Sequence, residues 1–146
     1  MSDVTRAGDL CMFSHVTLGT DNLNRAMRFY DAVLAPLGFT RHRTAKIAIG
    51  YAPPDFAGVN APFWVLRPYD KKAAAPGNGP MVAFEAKTRA AVDAFHAAAL
   101  AAGGSDEGAP GVRAHYHPNY YGAYVRDPDG NKLCAVCHHP VESAVG

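Results

Sequence analysis

The sequence contains two copies of one pattern, spaced 66 residues apart. When the first half is shifted by that spacing without a gap, residues of the same kind coincide: Val16 with Val82, Phe29 with Phe95, Leu34 with Leu100, and Gly38 with Gly104. A repeat of this size is a supersecondary unit that needs a neighbour to bury its apolar face. The 146 residues therefore predict one domain built from two related modules.

Each module is predicted to contain one strand, one helix and then three strands. In the first half, residues 13–18 alternate as in a strand, and Asp21 or Asn22 suits the N-cap of a helix that ends at Gly38. Three extended runs follow, at 39–43, 47–51 and 63–67. This order predicts a βαβββ module.

The second half repeats the same order. Residues 81–85 predict a strand, Thr88 suits a helix N-cap, and Gly103-Gly104 ends the helical pattern before three further strands. We therefore predict an α+β fold of two βαβββ modules. Its boundaries are a first module at 12–69, a linker at 70–79, a second module at 80–139, and tails at 1–11 and 140–146.

Composition argues against several classes of partner. The chain has 14 Lys plus Arg against 13 Asp plus Glu and no basic run, so we expect no nucleic-acid partner. No stretch approaches roughly 20 apolar residues and the start lacks the pattern of a secretory signal, so we expect no membrane association. Three cysteines, an odd number, suit reduced thiols and a cytoplasmic location.

The stretch CAVCH at 134–138 matches the CxxCH signature for covalent haem attachment. It follows the turn sequence DPDGN, which predicts a hairpin, and therefore lies on a strand. Side chains on a strand alternate between faces, so Cys134 and Cys137 are expected on opposite sides of the sheet. Because haem and a paired redox site both need the two thiols on one side, we reject both interpretations.

The sequence resembles the vicinal oxygen chelate superfamily, which includes glyoxalase I, bleomycin-resistance proteins, fosfomycin-resistance transferases and ring-cleaving dioxygenases. Three segments carry the resemblance: FSHVTLGTDNLNRAMRFYDAVLAPLGF, PMVAFEAKTRAAVDAFHAAALAAGG and YGAYVRDPDGNKLCAV. The resemblance implies mixed sheets that curl into an open cleft, a divalent metal on the concave face, and a homodimer. It implies no particular substrate, since one fold hosts many chemistries.

By this resemblance, the metal ligands of the family fall on four positions: His15, Trp64, Met81 and Cys134. Many relatives have His at the position of Met81 and Glu at that of Cys134, so only His15 retains a family ligand type. Hard divalent ions in such sites rely on imidazole and carboxylate ligands. We therefore predict that the cleft binds a small organic molecule without a tightly bound hard metal; a divalent metal is kept as the alternative cofactor, and no other cofactor is predicted.

Other chemistries are open at these positions. A metal-dependent lyase or isomerase of the lactoylglutathione lyase type is the main alternative, using His15 with other ligands such as His115 or His117. His15, Met81 and Cys134 also form the soft set that copper favours. Cys134 is a candidate nucleophile with His15 as its base, although Met and Cys are ordinary apolar fillers of a strand.

A second cluster, HYHPNYY at 115–121, is rich in histidine and tyrosine. Alternation from Cys134 puts Tyr124 on the cleft side, where some transferases of the family place a substrate-binding Tyr. Tyr120 and Tyr124 are predicted to bind an amphipathic ligand, with His115 and His117 as candidate acids or bases. The alternative is an interaction module whose cleft is plugged by Phe63, Trp64 and the tyrosines.

Overall fold

One helix and one four-stranded mixed sheet form each module. The computed structural model describes residues 11–141. The first module comprises β1 (Val16–Gly19), α1 (Leu23–Leu34), a 3₁₀ turn (Ala35–Leu37), β2 (Thr40–Thr44), β3 (Ala48–Ala52) and β4 (Phe63–Leu66). The second comprises β5 (Val82–Glu85), α2 (Arg89–Ala101), β6 (Ser105–Val112), β7 (Tyr121–Arg126) and β8 (Lys132–Cys137).

The two sheets have the same topology. Their strand orders are β1-β4-β3-β2 and β5-β8-β7-β6. In each sheet the first strand of the module pairs in parallel with the last, and the other pairings are antiparallel. The predicted α+β fold of two βαβββ modules is confirmed.

Strand register makes Trp64 and Cys134 equivalent positions. Thr17 pairs with Trp64 between β1 and β4, while Ala83, 66 residues after Thr17, pairs with Cys134 between β5 and β8. The last strands of the two modules therefore align as FWVL with LCAV. This is the alignment on which the four family ligand positions were assigned.

Local capping and a shared core explain the two helices. The side chain of Asn22 accepts a hydrogen bond from the backbone N–H of Arg25, and Thr88 accepts one from Ala91, as the N-cap residues of α1 and α2. The apolar faces of both helices pack on the sheets. Fully buried members of this core include Phe29, Tyr30, Val33, Val65, Val92, Phe95, Val125 and Leu133.

The repeat differs by one residue where the helices end. Gly38 follows the 3₁₀ turn with φ of 85°, but the glycine with positive φ after α2 is Gly103, at 96°, rather than Gly104. The 3₁₀ turn that contains Pro36 extends the end of α1, and α2 is not followed by such a turn. Gly38 and Gly104 therefore match in sequence but differ in backbone conformation.

The turn between β7 and β8 joins the modules. Asp129 on this turn accepts hydrogen bonds from the Thr20 hydroxyl at 2.6 Å and from the Arg25 guanidinium at 2.7 Å. The amide of Asn131 donates to the carbonyl of Gly19 at 2.9 Å. We name residues 127–131 the inter-module turn, because its side chains tie the start of the first module to the last hairpin of the second.

Asp127 is the buried centre of the inter-module turn. Its carboxylate accepts bonds from the Tyr30 hydroxyl, the Asn131 amide, and the backbone N–H groups of Asp129 and Asn131. Burial raises the pKa of Asp127, and the bonds from Tyr30 and Asn131 oppose that rise. Asp127 and Asp129 therefore stabilise contacts with the first module as well as the local turn.

Within residues 11–141, no helix is both long enough and apolar enough to span a membrane.

Candidate functional site

The concave face of the second module is the face of β5–β8 that points away from the helices. Leu133, Ala135 and Cys137 belong to the core under α2, so Cys134 and the residues paired with it point the other way. Tyr124 pairs directly with Cys134 and Gly122 with Val136. The prediction that Tyr124 shares the face of Cys134 is confirmed, and Gly122 lies on the same face.

Tyr120 folds back over this concave face. A Cβ on Gly122 would lie 2.9 Å from a carbon of the Tyr120 ring, so only glycine leaves room for the ring there. The hydroxyls of Tyr120 and Tyr124 lie 2.8 Å apart, and the Tyr120 hydroxyl lies 3.8 Å from the Cys134 sulfur. Two phenols and a buried thiol thus form one cluster of polar groups on this sheet face.

An open cavity of about 510 Å³ lies in front of the tyrosines. Its lining combines three aromatic rings, a thioether, the end of the linker and two cationic side chains. Its lining residues are Asn78, Gly79, Met81, Tyr116, Tyr120, Tyr124, Arg126 and Lys132. We name this space the tyrosine cavity.

Cationic groups surround the Tyr124 ring. The Lys132 ammonium lies 5.7 Å from the ring centroid and the Arg113 guanidinium 5.5 Å from it. Arg126 is held by Glu107 at 2.7 Å and by the carbonyl of Gly130 at 2.7 Å. The tyrosine cavity therefore combines aromatic faces with positive charge.

The histidines of the second cluster lie beside Tyr120 rather than among the lining residues of the cavity. The backbone N–H of Asn119 donates to Nδ1 of His117, which leaves the proton of that ring on Nε2. Nε2 of His117 in turn donates to Nδ1 of His138 at 2.8 Å. The ring of His115 contacts that of Tyr116 at a tilt of 44°, with the centroids 4.2 Å apart.

The residues at the first-module positions are not among those that line the tyrosine cavity. His15 is exposed, and its Nδ1 contacts the Ser14 hydroxyl at 2.9 Å and the Asn60 amide at 3.2 Å. Trp64 lies against Gly50 on the neighbouring strand and donates through its indole N–H to the carbonyl of Ala61 at 2.8 Å. Phe63 is buried in the core on the helix side, so it cannot plug the concave face.

The two cysteines of CAVCH lie on opposite faces of β8. Cys137 is buried in the core and its thiol points to the carbonyl of Lys87, whereas Cys134 contacts Tyr120 on the concave face. This geometry confirms the expected alternation and agrees with the rejection of haem and of a paired CxxC site.

The thiol of Cys134 is poorly suited to nucleophilic chemistry. Burial raises its pKa, although hydrogen bonds from Tyr120 and Tyr124 oppose the rise. The thiolate is the reactive form, so a raised pKa lowers the reactive fraction near neutral pH. His15, which was considered as a base, hydrogen-bonds with Ser14 and Asn60 instead.

Alkylation should therefore discriminate sharply among the three cysteines. In native protein treated with iodoacetamide at pH 7.5, we expect exposed Cys11 to react at least about tenfold faster than buried Cys134 and Cys137. Peptide mass mapping over time measures the rates, and labelling in denaturant is the control in which the three should converge. Native labelling of Cys134 as fast as Cys11 would support the nucleophile interpretation.

The four family ligand positions do not fit a hard metal ion. They hold one imidazole, one indole, one thioether and one buried thiol with a raised pKa. Within residues 11–141, no three His, Cys, Asp or Glu side chains are grouped so that they could hold a metal. Carboxylate and imidazole sets of the kind that Zn²⁺, Mn²⁺ and Fe²⁺ use are therefore missing from this part of the chain.

Two βαβββ modules with an open concave sheet define a vicinal oxygen chelate fold. The family model of the Glyoxalase/Bleomycin resistance protein/Dioxygenase superfamily matches residues 12–135, and the chain belongs to this superfamily. The resemblance seen in the sequence is thus confirmed. No curated protein matches the chain significantly.

Solved structures agree with this membership. A glyoxalase/bleomycin resistance protein from Albidiferax ferrireducens is 39% identical, with a TM-score of 0.77 over 89% of this chain and 100% of that chain. A glyoxalase-related enzyme from Fulvimarina pelagi is 21% identical, with a TM-score of 0.65 over 88% of each chain. A fosfomycin resistance protein from Mesorhizobium loti is 16% identical, with a TM-score of 0.60 over 88% of this chain and 93% of that chain. The last two show the fold alone.

Sequence reasoning did not name several residues of this region, Lys132, Arg126 and His138 among them, and it included Tyr116 only as part of the cluster at 115–121. Lys132 and Tyr116 line the tyrosine cavity, and His138 stacks beside His117. Lys132 and His138 continue the same alternation that placed Cys134 on the concave face, so that pattern carried the signal. The position of Tyr116 depends on the loop between β6 and β7, for which the sequence has no comparable rule.

Proposed function

We propose that the protein binds a small organic molecule in the tyrosine cavity, without a tightly held hard metal ion. One observation carries the proposal: the concave face offers an open cavity lined by three tyrosines, while the family ligand positions hold Trp64, Met81 and Cys134 beside His15. Ligand cavities are typically apolar and aromatic, with a few placed polar groups. Binding without turnover is the function that these residues favour.

The tyrosine hydroxyls supply those polar groups. Burial raises the pKa of Tyr120 and of Tyr124, so both phenols stay protonated at neutral pH. One hydroxyl donates to the other at 2.8 Å, which leaves one proton of the pair free to reach Cys134 or a ligand. The arrangement can orient a bound acceptor but has no group suited to abstract a proton there.

The rival function is a metal-dependent lyase or isomerase of the lactoylglutathione lyase type. It needs His15 to share an ion with further imidazole or carboxylate ligands. His117 hydrogen-bonds with His138, and His15 with Asn60, so the donor set gives this rival no support. A hemithioacetal isomerisation assay with added Zn²⁺, Mn²⁺ or Fe²⁺ tests it, because turnover abolished by His15→Ala would overturn the binding proposal.

Ligand binding should be independent of metal and dependent on Tyr124. We expect a panel of neutral, anionic and cationic aromatic compounds to yield at least one ligand whose binding is unchanged by EDTA. Its affinity should fall about tenfold or more in Tyr124→Ala, since stacking and hydroxyl contacts are both lost. Calorimetry measures the affinity directly.

The matched control for that measurement is Tyr69→Ala. Tyr69 is fully exposed in the linker region and is not among the residues lining the tyrosine cavity, so the change should leave affinity as it is. The proposal fails if no compound binds, or if every ligand requires an added metal. The homodimer and the cytoplasmic location remain predictions from the sequence.

A further inference from the structure

We propose that the tyrosine cavity selects an aromatic carboxylate, a flat ring that carries a negative charge. This inference rests on the proposed function and names the class of ligand that the same site takes. It is carried by the juxtaposition of neighbouring tyrosine rings, tilted by 47° to each other, with the Lys132 ammonium on the lining of one cavity.

The rings give the cavity its preference for a flat molecule. Tyr116 and Tyr120 lie with ring centroids 4.8 Å apart, and the Tyr124 ring completes the aromatic side of the cavity. Aromatic pairs gain most in offset-stacked or edge-to-face arrangements. A saturated ring of the same size gains the apolar contact and lacks the interaction with the ring faces.

The charges give the cavity its preference for an anion. Lys132 lies 5.7 Å from the Tyr124 ring and forms no ion pair among residues 11–141. Arg113, also beside this ring, donates to the carbonyl of Ala109. Both cations therefore face the aromatic ring without an acidic partner.

Acidic groups near the cavity do not cancel that charge. Glu107 is engaged by Arg126, and the carboxylate of Asp129 is engaged by Thr20 and Arg25 in the inter-module turn. The lining contains Arg126 and Lys132 and no carboxylate. A cation would meet the Lys132 ammonium there, whereas a carboxylate gains a charge-assisted hydrogen bond from Lys132 and a hydrogen bond from the one free tyrosine proton.

The geometry orients the ligand with its ring over Tyr116 and Tyr120 and its carboxylate toward Lys132. The phenol protons favour an acceptor over a donor at this end, because each hydroxyl remains protonated near neutral pH. Lys132 on β8 and Tyr124 on β7 are fixed by neighbouring strand pairs, Lys132 with Arg126 and Tyr124 with Cys134. Lys132 and Tyr124 are therefore held by the sheet, whereas Tyr116 and Tyr120 are positioned by the loop between β6 and β7.

Calorimetric titration of metal-free wild-type protein tests the class of ligand with four probes: benzoate, benzamide, cyclohexanecarboxylate and benzylamine. We expect benzoate to bind about tenfold or more tightly than each of the others. Affinity for benzoate should also fall as salt rises, because part of the attraction is between exposed charges.

Variants separate the charge of Lys132 from its packing. Lys132→Gln should weaken benzoate about tenfold while changing benzamide little, and Lys132→Arg should restore most of the affinity. Lys46→Gln, at an exposed lysine of the first module, is the matched control and should bind as wild type does. Melting temperatures of all three variants establish that they are folded.

Failure of this inference is distinct from failure of the proposed function. Equal affinity for benzoate and benzamide, or no effect of Lys132→Gln, overturns the charge selection while the cavity still binds. Tighter binding of benzylamine overturns the class outright. If all four probes fail and the wider panel also yields no ligand, the proposed function fails with it.

Discussion

Replacing Asp127 with alanine is expected to lower the free energy of unfolding by about 3 kcal/mol. The carboxylate accepts four hydrogen bonds at the centre of the inter-module turn, two of them from backbone N–H groups. Alanine leaves the buried Tyr30 hydroxyl and the Asn131 amide with fewer partners, and a buried donor without an acceptor bears its full desolvation cost. Denaturant unfolding followed by circular dichroism measures the change.

Asp70→Ala is the matched control for this prediction. Asp70 is an exposed carboxylate in the linker region that accepts one hydrogen bond, from the backbone of Lys72, so its loss should cost less than about 0.5 kcal/mol. If Asp127→Ala unfolds within that same margin of wild type, the inter-module turn does not stabilise the fold as its contacts indicate.

The pH dependence gives the Asp127 prediction a second readout. Because burial raises its pKa in the folded state, the protonated form is favoured more by the folded than by the unfolded chain. The stabilisation that comes from protonating this carboxyl is therefore fully present below the pKa of the unfolded state, about 4. It is lost as pH rises through the higher pKa of the folded state. The Asp127→Asn variant has no titrating carboxyl at this position. Compared with it, wild type should lose free energy of unfolding as pH rises through that acidic range.

Much of the fold follows from local patterns in the sequence. The structure contains three features that the sequence predicts: the alternating strands, the helix caps at Asn22 and Thr88, and the spacing of 66 residues between modules. The first two depend on only a few neighbouring positions, and the third appears when one half of the sequence is shifted against the other. The pairing of Tyr124 with Cys134 was also accessible, since the hairpin turn at 127–131 fixes the register of the strands on both sides of it.

The rest depends on contacts between distant residues. Thr20 and Asp129 are 109 positions apart, and nothing local in either segment indicates that they meet. For the same reason, the turn sequence DPDGN suggested only a hairpin, although its aspartates also hold the two modules together. The path of Tyr120 over Gly122 is set by a loop, where side-chain alternation no longer applies.

The double substitution Met81→His/Cys134→Glu should convert the concave face into a metal site. Wild type is expected to retain no stoichiometric Zn²⁺ or Mn²⁺ after dialysis, because Met81 and Cys134 offer a thioether and a buried thiol. Cys134 pairs with Ala83, two residues along β5 from Met81, so the two new side chains would project from neighbouring strands onto one face. With His15, the variant restores imidazole and carboxylate at three family positions, and we expect affinity for Zn²⁺ to rise about a hundredfold or more.

Elemental analysis and calorimetry decide this last prediction, with two controls. The single substitution Cys134→Glu supplies one carboxylate without its imidazole partner and should gain little, whereas adding His15→Ala to the double variant should remove much of the gain. Binding should weaken below about pH 6.5, since imidazole must lose its proton to coordinate. If instead wild type holds one equivalent of Zn²⁺ or Mn²⁺ and His15→Ala releases it, then ligands other than Met81 and Cys134 complete the site. The metal-dependent lyase would then be the better-supported function, because the metal would be held by residues other than Met81 and Cys134.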